Sequence, residues 1–176
     1  CPVVRRDTGL EQRGLQVLER LRAWADDAGN RSTLDRVLSW AYLSETRDSF
    51  AIENESPSPD KERAFLGALA ELGDHQPVTE DYLVGLQNTV ITSALRVEAE
   101  FRHQQNWLQR GGHGALAVRY IPPPPGDLPA LMDGWMAMAN SREGDVPPFV
   151  RAALVSFGFV FLHPFMDGNG RLSRLL

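Results

Sequence analysis

The sequence predicts a mainly α-helical domain built around one buried central helix, with a single small β-hairpin. Three observations carry that expectation. Apolar residues recur at three- and four-residue spacing along most of the chain, the period of an amphipathic helix. The run Phe149–Leu162 is apolar nearly all round, the pattern of a helix enclosed by other helices. A short β-type run, Ala117-Val118-Arg119-Tyr120-Ile121, follows the turn signal Gly111-Gly112-His113-Gly114 and stands apart from the helical patterning.

The elements follow in order. Residues 10–28 carry Leu10, Leu15, Leu18, Leu21, Trp24, Ala25 and Ala28 on one helical face, and Gly29-Asn30 ends that helix. Ser32 with Asp35 resembles a weak capping box, and Leu34, Val37, Leu38, Ala41 and Tyr42 carry a second stripe onward. The helical signal continues, or restarts at Ser49, to about Asn54, where Ser56-Pro57-Ser58-Pro59 stops it. Helices are expected from Asp60 to Leu72 and after Thr79, through Leu83, Leu86, Val90 and Ile91. Pro122–Pro125 must be extended. Asp127 is placed to cap a helix that tolerates Pro129 in its first turn and turns Leu131, Met132, Trp135 and Met138 inward. Pro147-Pro148 open the central helix, and Pro164 forces its end.

The composition narrows the function classes. The chain has 176 residues, 43% hydrophobic and 23% charged, enough for one domain with a proper core. A net charge of -5 argues against direct nucleic-acid binding, which needs basic faces, although Arg171 with Arg174 makes one local basic spot. The single cysteine, Cys1, leaves no disulfide framework and no thiolate cluster, which fits a reducing, cytoplasmic setting. The longest apolar run is too short to span a bilayer and contains Arg151, so no membrane role is expected. The absence of an initial methionine, and an end at Leu176 within an apolar run, read as a cut-out fragment whose last helix is still in progress.

The candidate chemistry lies where the central helix stops, in His163-Pro164-Phe165-Met166-Asp167-Gly168-Asn169-Gly170-Arg171-Leu172-Ser173-Arg174. His163 sits at the negative end of the helix dipole. Phe165 can drop back into the core and pin the loop. Asp167 is a hard oxygen ligand of the kind Mg²⁺ takes alongside phosphates. Gly168-Asn169-Gly170 permits a tight turn and close backbone approach to a ligand. The chain then re-enters a helix, whose first N–H groups form an anion site. Arg171 and Arg174 are three apart and both able to reach phosphate oxygens. A base, a metal ligand, an N–H cradle and two guanidinium groups are the parts required for phosphoryl or nucleotidyl transfer.

These residues resemble the signature of the Fic (Fido) family, His-Pro-Phe-x-Asp/Glu-Gly-Asn-Gly-Arg-x-x-Arg, at every defined position from His163 to Arg174. Phe101-Arg102, Gln105-Asn106-Trp107 and Tyr120–Pro125 are similar to the stretch of that family flanking its target-binding flap. The resemblance covers roughly residues 45–176. It implies a Fic-type helical bundle, with N-terminal helices over 1–60 and a core over 61–176 truncated at its C-terminal end. It also implies roles. His163 would be the general base and Asp167 would bind Mg²⁺. Gly168, Asn169, Gly170 and Arg171 would hold the α- and β-phosphates, and Arg174 would pair with the γ-phosphate. Gly170 stands where kinase-like relatives carry Lys, which favours transfer of AMP from ATP. Ser49-Phe50-Ala51-Ile52-Glu53-Asn54 resembles the family's inhibitory helix, so Ser49, Glu53 and Asn54 would belong to a brake (about 45–54) in which Glu53 pairs with Arg174. Arg110–Tyr120 would be the flap, with Ala115, Leu116, Ala117 and Val118 against the target.

The expected activity is therefore transfer of AMP from ATP, with Mg²⁺, to a Ser, Thr or Tyr hydroxyl of a target protein, restrained by Glu53. The alternatives are removal of AMP from a modified target, with Glu53 orienting a water, and an ATP-sensing module attached to a DNA-binding domain beyond Leu176. Self-modification and a homodimer are both compatible with the sequence.

Overall fold

The computed structural model describes residues 5–27, 29–52, 56, 58–71, 77–90, 97–111, 114–141 and 146–176. Glu53, Asn54, Leu72, Ile91, Gly112 and His113 lie outside the described residues, as do Cys1 and Ala28.

Helix α1 (Thr8–Asp26) starts at Asp7, whose side chain accepts from the Leu10 N–H at 3.0 Å. Helix α2 (Arg31–Ile52) is one continuous rod, so the chain does not restart at Ser49, and Ser32 lies inside the helix instead of capping it. Helices α3 (Pro59–Glu71) and α4 (Glu80–Val90) follow, the first opened by a proline whose missing N–H costs nothing at that position. Strands β1 (Leu108–Gln109) and β2 (Val118–Tyr120) pair antiparallel, Leu108 opposite Tyr120 and Gln109 opposite Val118. The register slips between those two pairs, leaving Arg119 as the extra residue of a bulge. Helices α5 (Leu128–Ala139), α6 (Pro148–Leu162) and α7 (Asn169–Leu175) complete the order.

The core gathers where α6 meets α5 and α7. Phe50 of α2, Phe65 of α3, Leu83 of α4, Met132 and Trp135 of α5, Phe159 of α6 and Leu172 of α7 are all buried in it. Trp135 stacks obliquely on Phe159 at 5.3 Å and donates its indole N–H to the Val155 carbonyl at 3.0 Å, which satisfies the ring's one polar atom. Gly158 makes this approach feasible, because a Cβ there would stand 2.7 Å from the indole.

Several expectations change. The face of α1 is not buried: no α1 residue is, and Leu10, Leu15, Leu21 and Trp24 are exposed. The first half of α2 behaves alike, with Val37 and Leu38 exposed, and burial begins only at Thr46, Ser49 and Phe50. Helix α6 is central but not enclosed all round. Val155, Phe159 and Leu162 form its buried edge, while Phe157 is 55% exposed, because α5 and α7 cover only one side. Leu131 faces solvent, on the flank of the stripe that Leu128, Met132 and Trp135 bury. Asp127 ends a 3₁₀ turn with φ -93° and ψ -14°, helical values where a cap needs extended backbone, and it makes no capping bond. Ala117 belongs to a second 3₁₀ turn, Ala115–Ala117, so the strand starts one residue later than its sequence pattern.

Candidate active site

The loop from α6 to α7 carries the candidate chemistry, and its backbone is set first by Pro164. Proline disfavours the right-handed helical conformation at the residue before it, so α6 must end at Leu162. His163 takes the left-handed conformation at φ 52° and ψ 58°, the sole non-glycine residue with positive φ among those described. Such a conformation costs about 1–3 kcal/mol for a side chain of this kind and persists only where the surroundings impose it. The surroundings do so here. The His163 N–H donates to the Phe159 carbonyl at 2.9 Å, and the ring is buried with Nδ1 3.2 Å from the Val160 carbonyl. A carbonyl can only accept, so this contact places the proton of a neutral imidazole on Nδ1 and its lone pair on Nε2.

Phe165 drops into the core as its sequence context suggests. It is fully buried, edge-on to Phe101 at 5.6 Å and tilted against Phe159 at 6.4 Å. Asn169 closes the loop over it. The Asn169 Oδ1 accepts from the Phe165 N–H at 2.9 Å and its Nδ2 donates to the Phe165 carbonyl at 2.8 Å. Asn169 therefore shapes the loop from inside, with both ends of its amide engaged on protein backbone. Gly168 supplies the turn at φ 76°, and its N–H lies on Asp167 Oδ1 at 2.7 Å. Gly170 lies within α7 and its carbonyl accepts from the Ser173 hydroxyl at 2.8 Å.

The two arginines separate in environment. Arg171 is buried over the Phe50 ring, 5.6 Å from its centroid, with Nη2 3.7 Å from Asp167 Oδ2. Arg174 turns to α2, its Nε donating to Ser49 Oγ at 2.7 Å and its Nη2 to the Ser49 carbonyl at 3.0 Å. The structure thus brings Ser49 and Arg174 together across 125 residues of sequence. The residues expected to form the flap differ in exposure. Leu116 is 96% exposed, Ala117 is buried, and a groove of 360 Å³ runs past Ala115, Val118, Trp107 and Ile121.

Three side chains support the loop from outside; Gln87 was not singled out in the sequence, and Arg102 and Asn106 were singled out only as flanking the flap. Gln87 of α4 donates to the Asp167 carbonyl at 3.0 Å, Asn106 donates to the Phe165 carbonyl at 3.0 Å, and Arg102 donates through Nε to the His163 carbonyl at 2.8 Å. Burial pushes the Arg102 guanidinium below its ordinary value, partly offset by the nearby Tyr120 phenol. Burial likewise raises Tyr120, whose hydroxyl donates to the Phe161 carbonyl at 2.6 Å. Among the described residues no cluster of three or more His, Cys, Asp or Glu is placed to enclose a metal. The lone carboxylate of Asp167, 72% exposed, fits an ion such as Mg²⁺ that arrives with a nucleotide and keeps water and phosphate oxygens as its other ligands.

The fold and this loop define a helical domain whose central helix ends in a strained histidine, followed by a glycine turn and an arginine-bearing helix. The Fic/DOC family model matches residues 77–176. The chain belongs to the Fic/DOC family. It is 33% identical over 150 residues to the protein adenylyltransferase Fic of Drosophila ananassae, covering 84% of this chain and 28% of that protein. To the protein of the same name from Drosophila melanogaster it is 34% identical over 150 residues, covering 84% and 29%. The chain thus spans less than a third of the length of these curated relatives. Its fold is that of a Fic family protein from Desulfovibrio desulfuricans, at a TM-score of 0.77 and 18% identity over 99% of this chain and 57% of that one. A Fic domain containing signaling protein from Bacteroides thetaiotaomicron matches at 0.67 and 16% identity, covering 91% and 68%.

Proposed function

We propose that this domain transfers AMP from ATP to a hydroxyl side chain of a protein, and that α2 restrains it. The observation that carries the reading is His163, buried and held so that Nε2 presents the lone pair. The names of the curated relatives add the reaction type. In the proposed step the Ser, Thr or Tyr hydroxyl gives its proton to Nε2 of His163 while its oxygen attacks the α-phosphorus. The bond from that phosphorus to the bridging oxygen breaks, and pyrophosphate leaves with the electron pair. Arg171 and the loop backbone stabilise the charge on the α- and β-phosphates, and Asp167 would hold a Mg²⁺ ion, which when bound would supply further charge neutralisation. The proposed flap, a 3₁₀ turn over Ala115–Ala117 that runs into β2 at Val118, offers the target an exposed margin against which an extended segment can lie.

Restraint follows from Arg174. Its hold on Ser49 ties the proposed γ-phosphate partner to the end of α2, just before Glu53. An ion pair from Glu53 to Arg174 would keep the γ-phosphate from its seat and leave the α-phosphorus misaligned. The test is self-modification with labelled ATP and Mg²⁺, read by mass spectrometry. Glu53→Gly is expected to raise AMP incorporation at least about fivefold, the lower end of an intramolecular coupling of about 1–3 kcal/mol. His163→Ala in that background is expected to lower it by about 100- to 10,000-fold. A Glu53→Gly chain no more active than wild type removes the restraint, and an undiminished His163→Ala chain removes the proposed base. Loss of AMP from a pre-modified chain, dependent on Glu53, would point to hydrolysis instead.

A further inference from the structure

Arg102 is a buried cation with no role in the reaction just described. Each of its hydrogen bonds ends on a backbone carbonyl. Its own N–H donates to Pro164 O at 2.8 Å, its Nε to His163 O at 2.8 Å, and its Nη2 reaches Leu162 O at 3.4 Å. One residue therefore grips three consecutive carbonyls across the strained end of α6. The other arm of the fork faces the hairpin, with Nη2 donating to Pro123 O at 2.6 Å and Nη1 to Gln104 O at 3.1 Å. Gln105 reinforces that side by donating to Pro122 O at 3.1 Å.

Burying a guanidinium without a carboxylate is an expensive way to obtain stability, since an apolar side chain fills space at less cost. What the guanidinium supplies is direction. Its planar fork fixes the angles between the groups it joins, and its charge suits the negative end of a helix. The groups joined here are the carbonyl of His163 itself and the segment that leads out of β2.

We infer that Arg102 is a positioning residue for His163: it locks the left-handed C-cap that aims the imidazole, and it fixes the flap's exit strand to the same frame. The inference rests on the reading of His163 as the base. Arg102 touches no reacting atom, so it should affect the rate at saturating ATP and leave ATP binding nearly alone. It should also hold the Nδ1–H tautomer, because the ring's contact with Val160 O depends on the backbone angle that Arg102 fixes.

The experiment compares Arg102→Lys, Arg102→Gln and Trp135→Phe with wild type, each also in the Glu53→Gly background. Trp135→Phe is the control, since it removes a buried hydrogen bond of α6 without touching the loop. Two quantities are read: kcat and KM for ATP in self-modification, and the ¹⁵N imidazole signals of His163 in the nucleotide-free chain. Arg102→Gln should lose about 100-fold in kcat, the scale set by small misplacements of a catalytic group, with KM within about threefold. Arg102→Lys keeps the charge but not the fork and should lose about tenfold. In both variants the His163 ring should exchange between tautomers. Trp135→Phe should lower Tm and keep kcat and the ring signals of wild type.

The inference is overturned if the folded Arg102 variants keep the wild-type kcat and ring signals. It is equally overturned if kcat falls no further than in Trp135→Phe. Should Arg102→Gln not fold, Arg102→Lys decides on the same two readouts. Should the wild-type and Glu53→Gly chains transfer no AMP, the proposed function fails, while the imidazole signals still decide the role of Arg102.

Discussion

The first forty residues and the last thirty invert each other. In the N-terminal pair of helices large apolar side chains face solvent, and Trp40 is 71% exposed. In the α6–loop–α7 segment polar and charged side chains are buried, among them His163, Asn169, Arg171 and Ser173. Both segments carry apolar residues at helical spacing, so periodicity alone does not separate them. It reports that a face is apolar and is silent on what covers it. The inversion marks where the molecule holds polar groups inside against their solvation cost, and such places are where function is built.

The largest loss is expected at Asn169. Its amide serves both backbone groups of Phe165, and Asn106 also reaches the carbonyl, so Asn169→Ala strands the buried Phe165 N–H. We expect a loss of about 3 kcal/mol, from the orphaned donor and the space left behind, read by urea unfolding. A loss under about 1 kcal/mol would mean that α6, Gln87, Arg102 and Asn106 hold the loop without it. Loop shape would then owe little to the residue at its centre.

Substitutions at two helical glycines should have opposite signs. Gly158→Ala puts a methyl 2.7 Å from the buried Trp135 indole, where neither α5 nor α6 can give way easily. Overpacking of this kind costs about 1–3 kcal/mol, against a gain of about 1 kcal/mol in helix propensity, so a net loss near 1 kcal/mol is expected. Gly134→Ala, on α5, has open space around it and should gain about 0.5–1 kcal/mol. Thermal unfolding of the two variants side by side checks both signs. Equal shifts would mean that propensity alone governs these helices.

Sequence reading carried far along the regular elements. The first helix was expected over 10–28 and lies at Thr8–Asp26, and the run after Pro147-Pro148 is α6. The loop was legible because His163, Phe165, Gly168 and Asn169 are local: their partners lie within a few residues, and a proline fixes their start. What was not legible is the set of side chains that hold the loop from afar. Gln87 and Arg102 bond to carbonyls 80 and 61 residues away, and a carbonyl leaves no mark in a sequence. Capping by Asp127 failed for a related reason. The residue type was right, but Pro125, expected to be extended like Pro124, instead opens a 3₁₀ turn with Gly126 and denies Asp127 extended backbone. The resemblance offered Glu53, outside the described residues, as the partner of Arg174; the bonds to Ser49 were not foreseen, since 125 residues separate the two and nothing periodic connects them.

The smallest expected effect tests the other half of the comparison. Leu21 and Trp40 expose most of their apolar surface, and neither lies in the core. Leu21→Ser and Trp40→Ser should each change unfolding free energy by no more than about 0.5 kcal/mol, as surface substitutions do. Burying a side chain of this size contributes about 1.5–3 kcal/mol, well above that limit, so the measurement separates a bare face from a covered one. Losses above about 1 kcal/mol that grow with protein concentration would mean that a second copy covers the N-terminal helices in solution. The same loss at every concentration would place the cover within the chain itself. Either result would erase the contrast between the two ends, because the N-terminal stripe would then be a buried surface like that of α6.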